Sequence, residues 1–222
     1  HHIYGREGKE AVENSRKFLA ESINGCPRDI IFTSGATESI NLATKGVCKK
    51  YQNKGKHVVT QQTEHKAVLD TCASMEKIGW RVTYLPVNSD GIVNPDSVFD
   101  AIEKETVLVI IMHANNEIGT LLPIKEVSLL CNKYENVYFH SDTVQTMGHY
   151  LIDVKKLKID FLVCSAHKFH GPKGIGFLYI NKKLHLNPII TGGSQERNHR
   201  GGTENLYGII GLAKAMELAF LN

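Results

Sequence analysis

DFLVCSAHKFHGPKGIGFLYI (Asp160–Ile180) is the stretch on which the reading of the fold turns. It contains two short apolar runs, Asp160–Ser165 and Ile175–Ile180, that read as strands. Between them stand two histidines flanking a lysine, then glycines and a proline. A nearly continuous apolar run marks a strand covered on both faces. An amine at the end of such a strand, Lys168, calls for a chemical reason. Working outward, the same unit recurs. Further strands are expected at Asp29–Thr33, His57–Gln61, Arg81–Leu85, Val107–His113 and Val137–Ser141. Helical patterns lie between them, at Thr37–Tyr51, Lys66–Ile78, Pro95–Lys104 and Ile124–Tyr134. Others open and close the chain, at Glu7–Ile23 and Thr203–Leu221. This alternation predicts an α/β domain with a mainly parallel sheet flanked by helices.

The 222 residues suffice for one large domain, and 42% hydrophobic with 22% charged residues is ordinary globular composition. A net charge of +3, with no basic run interleaved with aromatics, argues against nucleic acid. The longest apolar runs, such as Val107–Met112, are too short to span a bilayer. The five cysteines are scattered and lack a CxxC pair. That argues against a disulfide framework or zinc site and for a reducing compartment, the cytoplasm. His1-His2 read either as a tag remnant or as native residues. Helical patterns run to both ends of the chain, which therefore reads as a fragment of a longer protein.

In such sheets ligands sit beyond the carboxyl ends of the strands. The strand ends here are rich in useful chemistry. Thr33-Ser34-Gly35-Ala36-Thr37-Glu38 combines a strand end, a glycine turn and a helix start. That is either an anion site suited to phosphate or a plain N-cap. It is neither a Walker loop nor a G-x-G-x-x-G loop. Asp142 ends a strand, where it could pair with a protonated ring nitrogen or serve as an N-cap. Gln145, three residues on, could reach a ring hydroxyl. His65 could stack on a flat ligand and move protons, or be a surface or N-cap histidine. Lys168, in a partly buried pocket, would be a nucleophile toward carbonyls and form a Schiff base with an aldehyde cofactor. A pyridoxal-phosphate site needs a lysine, an acid for the ring nitrogen, a phosphate cradle and a group over the ring. Lys168, Asp142, Ser34–Thr37 and His65 supply them. His167 and His170 are spaced like a metal pair, but Gly171-Pro172 argues against a helix there and no third ligand follows, so no metal is expected.

With these segments in view, the chain resembles the NifS/IscS-type cysteine desulfurases, pyridoxal-phosphate enzymes of the class-V aminotransferase family. The segments are FTSGATESINLA (Phe32–Ala43), TEHKAVLDTC (Thr63–Cys72), MHANNEIGTLLPI (Met112–Ile124), FHSDTVQTMG (Phe139–Gly148), SAHKFHGPKGIG (Ser165–Gly176) and GGSQERNHRGGTEN (Gly192–Asn205). The last two look more like the NifS/IscS branch than the Suf branch. The resemblance implies the large domain of fold-type-I enzymes over residues 1–222, incomplete at both ends and without the C-terminal small domain. It implies that Lys168 holds the cofactor covalently, that Asp142 pairs with the ring nitrogen, and that Gln145 meets the ring hydroxyl. His65 would stack on the ring and shuttle protons. Ala36 and Thr37 would cradle the phosphate, helped by Ser165 and His167. Asn116 would support the substrate side of the ring, with Asn115 as its neighbour. Thr203 would reach the cofactor of a partner subunit, which implies a homodimer. The implied reaction removes sulfur from L-cysteine, leaving L-alanine and an enzyme persulfide for iron–sulfur assembly or another acceptor. The attacking cysteine and the arginine for the substrate carboxylate are expected outside this chain, so the chain alone is expected to be inactive. The alternatives are another class-V enzyme, a selenocysteine lyase or aminotransferase, or a non-catalytic binding module on the same fold.

Overall fold

A computed structural model describes residues 3–221, with the side chains of residues 3 and 4 outside the description. His1-His2 and the final Asn222 lie outside the described residues. A seven-stranded sheet forms the centre. Its strands are β1 (Ile30–Thr33), β2 (His57–Gln61), β3 (Arg81–Leu85), β4 (Thr106–Ile110), β5 (Tyr138–Asp142), β6 (Phe161–Ser165) and β7 (Gly176–Ile180). The helices are α1 (Ile3–Ser22), α2 (Ala36–Tyr51), α3 (Lys66–Glu76), α4 (Pro95–Ala101), α5 (Ile124–Cys131) and α6 (Leu206–Leu221). The spatial order is β1-β7-β6-β5-β4-β2-β3.

Only β7 runs against the rest: it pairs antiparallel with both β6 and β1, while β6-β5-β4-β2-β3 pair in parallel. The reason is the length of the link. A parallel return needs a crossover of a dozen or more residues. Residues 166–175 are too few, so β7 folds straight back along β6 in register Phe161↔Ile180 to Ser165↔Gly176. This short link carries Lys168, and it is turned by the left-handed His170, at φ 66°, and by Gly171.

Every residue of β1, β2, β4, β6 and β7 is buried, as the apolar runs imply. Helices cover both faces. Val12 and Leu19 of α1, Val98 of α4, Val127 of α5 and Ile209 of α6 share one core with Val109, Phe139 and Leu162 of the sheet. Ile40 and Val47 of α2 and Val68 and Met75 of α3 share the other with Leu108, Ile110 and Phe161. Each fully buried side chain of this size contributes about 1.5–3 kcal/mol.

The differences from the sequence reading lie at element ends. β4 stops at Ile110 rather than His113. The N–H groups of Ile111 and His113 nevertheless still bond to His140 and Asp142, so the chain stays alongside β5 as it leaves the sheet. α4 and α5 end at Ala101 and Cys131, short of Lys104 and Tyr134. α3 ends at Glu76, just before the left-handed Gly79 at φ 90°. α6 begins at Leu206 rather than Thr203, because the Asn205 side chain accepts from the Gly208 N–H. Thr203 is thereby left in a loop.

The loop before α6 is anchored by a buried ion pair. Arg16 of α1, 2% exposed, donates Nη1 and Nη2 to Glu196 at 2.8 and 2.9 Å, and Nη1 also to the Ile30 carbonyl. Glu196 in turn accepts from the Phe32 N–H at 2.8 Å. Glu196, Arg197 and Asn198 all have positive φ, at 45°, 55° and 65°. Such backbone persists only where its surroundings over-determine it. Arg16→Ala strands the Glu196 carboxylate, at a cost of about 3–5 kcal/mol. The melting temperature is expected to fall by on the order of 10 °C, read by calorimetry.

Candidate active site

The carboxyl ends of β1, β2, β4, β5 and β6 open on one edge of the sheet into a cavity of about 490 Å³. On the β1 side, Gly35 is the N-cap of α2, and no side chain bonds to the first turn. Gly35 has φ 144°, a conformation open to glycine, and Gly176 lies against it: a Cβ on Gly176 would meet the Gly35 Cα at 2.8 Å. Ala36 and Thr37, the first residues of α2, therefore line the cavity at the positive end of the helix dipole, with no side-chain cap at Gly35. Glu38 does not cap that turn by the plain Ser/Thr pattern. It reaches back to the Ser34 N–H at 2.8 Å and takes Arg200 Nε at 2.8 Å. Burial raises its carboxyl, but Arg200 and Ser34 outweigh that and hold it below the usual carboxylate value.

Asp142 ends β5, 5% exposed, and lines the same cavity. One oxygen accepts from the Val144 N–H at 2.9 Å, so it does terminate its strand in a turn. Among the described residues the other oxygen has no hydrogen-bond partner. Burial pushes its carboxyl above the ordinary value, against the Val144 N–H and the nearby His65 and Lys168. Gln145 follows in the next turn and lines the cavity. His65 lines it too and at the same time caps α3, its Nδ1 accepting from the Ala67 N–H at 3.1 Å. That bond leaves Nε2 as the protonated nitrogen of the neutral ring. His140 and Ser141 belong to β5 itself: the Ser141 hydroxyl bonds to the Ile111 carbonyl, and burial lowers His140 to about 3, keeping it neutral.

Ser165, His167 and Lys168 complete the wall after β6, with Ser165 Oγ 3.0 Å from His167 Nδ1. Lys168 lines the cavity and is exposed, which corrects the expectation of a partly buried amine. Asn116 lines the cavity, whereas Asn115 is 8% exposed and spends its side chain on the Thr63 carbonyl and on the Glu117 and Ile118 N–H groups. Thr203 stands apart, in an adjoining cleft that shares Ser34 and Gly174 with the cavity. Met112, Val144 and Lys173 also line the cavity and were not foreseen. Met112 and Val144 are apolar and carry no chemical signal; Lys173 sits in the quoted loop but is overshadowed there by Lys168. Among the described residues no group of three or more His, Cys, Asp or Glu is placed to hold a metal ion.

The donor set fits a pyridoxal phosphate: one cavity is lined by the uncapped start of a helix for an anion, a carboxylate and an amine. Comparison with known proteins agrees with a site of this class. Residues 1–221 match the aminotransferase class-V family, and the chain belongs to it. Among curated proteins, it is 52% identical over 220 residues to the cysteine desulfurase IscS of Dictyoglomus turgidum, covering 99% of this chain and 56% of that protein. It is 46% identical to a mitochondrial cysteine desulfurase of Arabidopsis thaliana, covering 98% and 48%. Among solved structures, a NifS-like protein superposes with TM-score 0.96 at 41% identity, covering 99% of this chain and 60% of that one. SspA in complex with cysteine gives 0.94 at 40%, covering 98% and 63%. The chain spans about half the length of the curated relatives it matches.

Proposed function

We propose that this chain is the cofactor-binding large domain of a pyridoxal-phosphate-dependent cysteine desulfurase. The observation that carries the reading is the single cavity joining Lys168, Asp142 and the uncapped start of α2. The cofactor, when bound, supplies an aldehyde for an amine and a ring that takes up electrons from the substrate α-carbon. Lys168 would hold that aldehyde, and its amine when free would move protons. Asp142 offers its unpartnered oxygen to a protonated ring nitrogen. Ala36 and Thr37, with Ser165 and His167, receive the phosphate, and Gln145 meets the ring hydroxyl. His65 presents Nε2–H over the ring while its other nitrogen caps α3. Asn116 supports the substrate side.

The substrate is L-cysteine, in line with the names of the relatives. Its C–S bond breaks, a thiolate forms an S–S bond with the departing sulfur, and L-alanine and a persulfide result. Among the described residues no cysteine lines the cavity. Burial raises the thiols of Cys48, Cys72, Cys131 and Cys164, Cys72 to about 12, so none of these is a ready nucleophile. The reading therefore requires a thiol that this chain does not supply. We further infer a homodimer, supported by the exposed Leu151, Tyr207 and Ile118 and by Thr203, which stands outside its own chain's cavity. An iron–sulfur scaffold or another sulfur acceptor would take the persulfide. Five free cysteines favour a reducing compartment, the cytoplasm, and no helix is long and apolar enough to cross a membrane among the described residues.

Borohydride reduction after incubation with pyridoxal phosphate, followed by peptide mass mapping, tests the site. The expected result is one pyridoxyl adduct, on Lys168. Adducts scattered over surface lysines, or none, would overturn the reading.

A further inference from the structure

Glu64 immediately precedes His65, yet its side chain is turned inward and is 5% exposed. Its Oε1 accepts from the Met112 N–H at 2.6 Å and from Gln61 Nε2 at 3.0 Å. Its Oε2 is buried and has no hydrogen-bond partner. In the reverse direction, Asn115 Nδ2 donates to the Thr63 carbonyl at 2.9 Å. The segments leaving β2 and β4 are thus cross-laced by two buried side chains. Those same segments carry His65, Met112 and Asn116 into the cavity.

We propose that Glu64 is a positioning residue of the cofactor site: it clasps the end of β2 to the end of β4 and so holds His65, Met112 and Asn116 in place around the cavity. The proposal rests on the cofactor reading above and deepens it. Two carboxylates close together in a dry site cannot both ionise cheaply. Burial pushes the Glu64 carboxyl up to about 8, with Asp142 raising it further against the bonds from Met112 and Gln61. The titratable groups facing it are Asp142 from β5 and Cys72 from α3, with His65 beside it in the chain. At neutral pH Glu64 keeps its proton. The clasp between the ends of β2 and β4 is then made by a neutral group.

Stability follows with a definite sign. The folded value lies above the unfolded one, so the folded state binds more protons between about 4.5 and 8, and stability falls as pH rises through that window. The test uses the cofactor-loaded protein and three readouts: the visible band of the lysine-bound cofactor against pH, the rate of cofactor release, and melting against pH. Glu64→Asp is too short to reach both donors and is expected to release cofactor roughly tenfold faster. Glu64→Gln, a neutral isostere, is expected to rescue the release rate and keep the pH midpoint of the band. Its melting temperature should match wild type near pH 5 and exceed it increasingly up to pH 8. A midpoint moved by Glu64→Gln would show that Glu64 is ionised in the wild type and overturn the proposal. So would a Glu64→Asp protein that holds cofactor as tightly as wild type. Wild-type protein that never develops the band would overturn the cofactor reading and the positioning role with it. The melting comparison, which needs no cofactor, would still show whether Glu64 holds the proton.

Discussion

Lys168→Ala is expected to abolish the borohydride-trapped adduct and, on the proposed reading, to lower desulfurase turnover by on the order of 10⁴-fold or more in a protein that supplies the attacking thiol, since both the covalent anchor and a proton carrier would be lost. The fold should be indifferent. Lys168 is exposed, and among the described residues no hydrogen bond or ion pair ties its amine to the rest of the domain. Melting within about 1 °C of wild type is therefore the companion expectation. Lys173→Ala is the discriminating control, because Lys173 is the other amine lining the cavity. Mass mapping should find the adduct intact in Lys173→Ala and missing in Lys168→Ala. The opposite pattern would transfer the anchoring role to Lys173. Lys168→Arg adds a second check: it keeps a positive charge near Asp142 but has no free amine to condense with an aldehyde. Charge without an adduct in that variant would separate the electrostatic part of the lysine from its covalent part.

The parts of this architecture that could be read in the sequence are those with strong local causes. β2 and β3 run over His57–Gln61 and Arg81–Leu85 as the apolar and β-branched runs predict. The ring and phosphate residues could be picked out because parallel strands put their ends on one edge. A polar residue after each apolar run is then in the cavity by topology alone. What depends on contacts between distant segments was not legible. The antiparallel β7 follows from a short link whose consequence appears only once β6 has a place in the sheet. Glu64 reads as an ordinary charged residue beside His65, and only the Met112 N–H across the sheet turns it inward. Arg16 and Glu196 are 180 residues apart and give no pairwise signal in a single sequence. Lys168 was expected to be half-buried because it follows a buried strand, but the short turn Ala166–Phe169 swings it out into the open cavity while Ala166 and Phe169 stay inside.

Asp142→Asn separates function from stability most sharply. Asparagine keeps an oxygen for the Val144 N–H, so the turn that ends β5 survives. What is lost, on the proposed reading, is the carboxylate offered to the ring nitrogen. Removing a preorganised electrostatic partner of this kind costs about 10²–10³ in kcat. Stability should move the other way. Burial holds the Asp142 carboxyl above its unfolded value in the folded chain, outweighing the Val144 N–H, His65 and Lys168. An acid raised on folding makes stability fall as pH rises from its unfolded to its folded value, and the deficit persists above that. The neutral isostere escapes the deficit, so Asp142→Asn is expected to melt at or above the wild-type temperature at pH 7 and to lose that advantage below about pH 4. Glu64 responds as well. With the Asp142 charge gone, one of the influences raising the Glu64 carboxyl disappears, and its value should drop from about 8 toward the ordinary range. Paired measurements of kcat, in a protein that supplies the attacking thiol, and of melting against pH decide the matter. A variant that keeps wild-type turnover would remove Asp142 from the site, and one that melts well below wild type at pH 7 would make it a structural carboxylate of β5. Lost turnover with retained or higher stability is the signature of a charge held at a cost to the fold because the chemistry above it needs one.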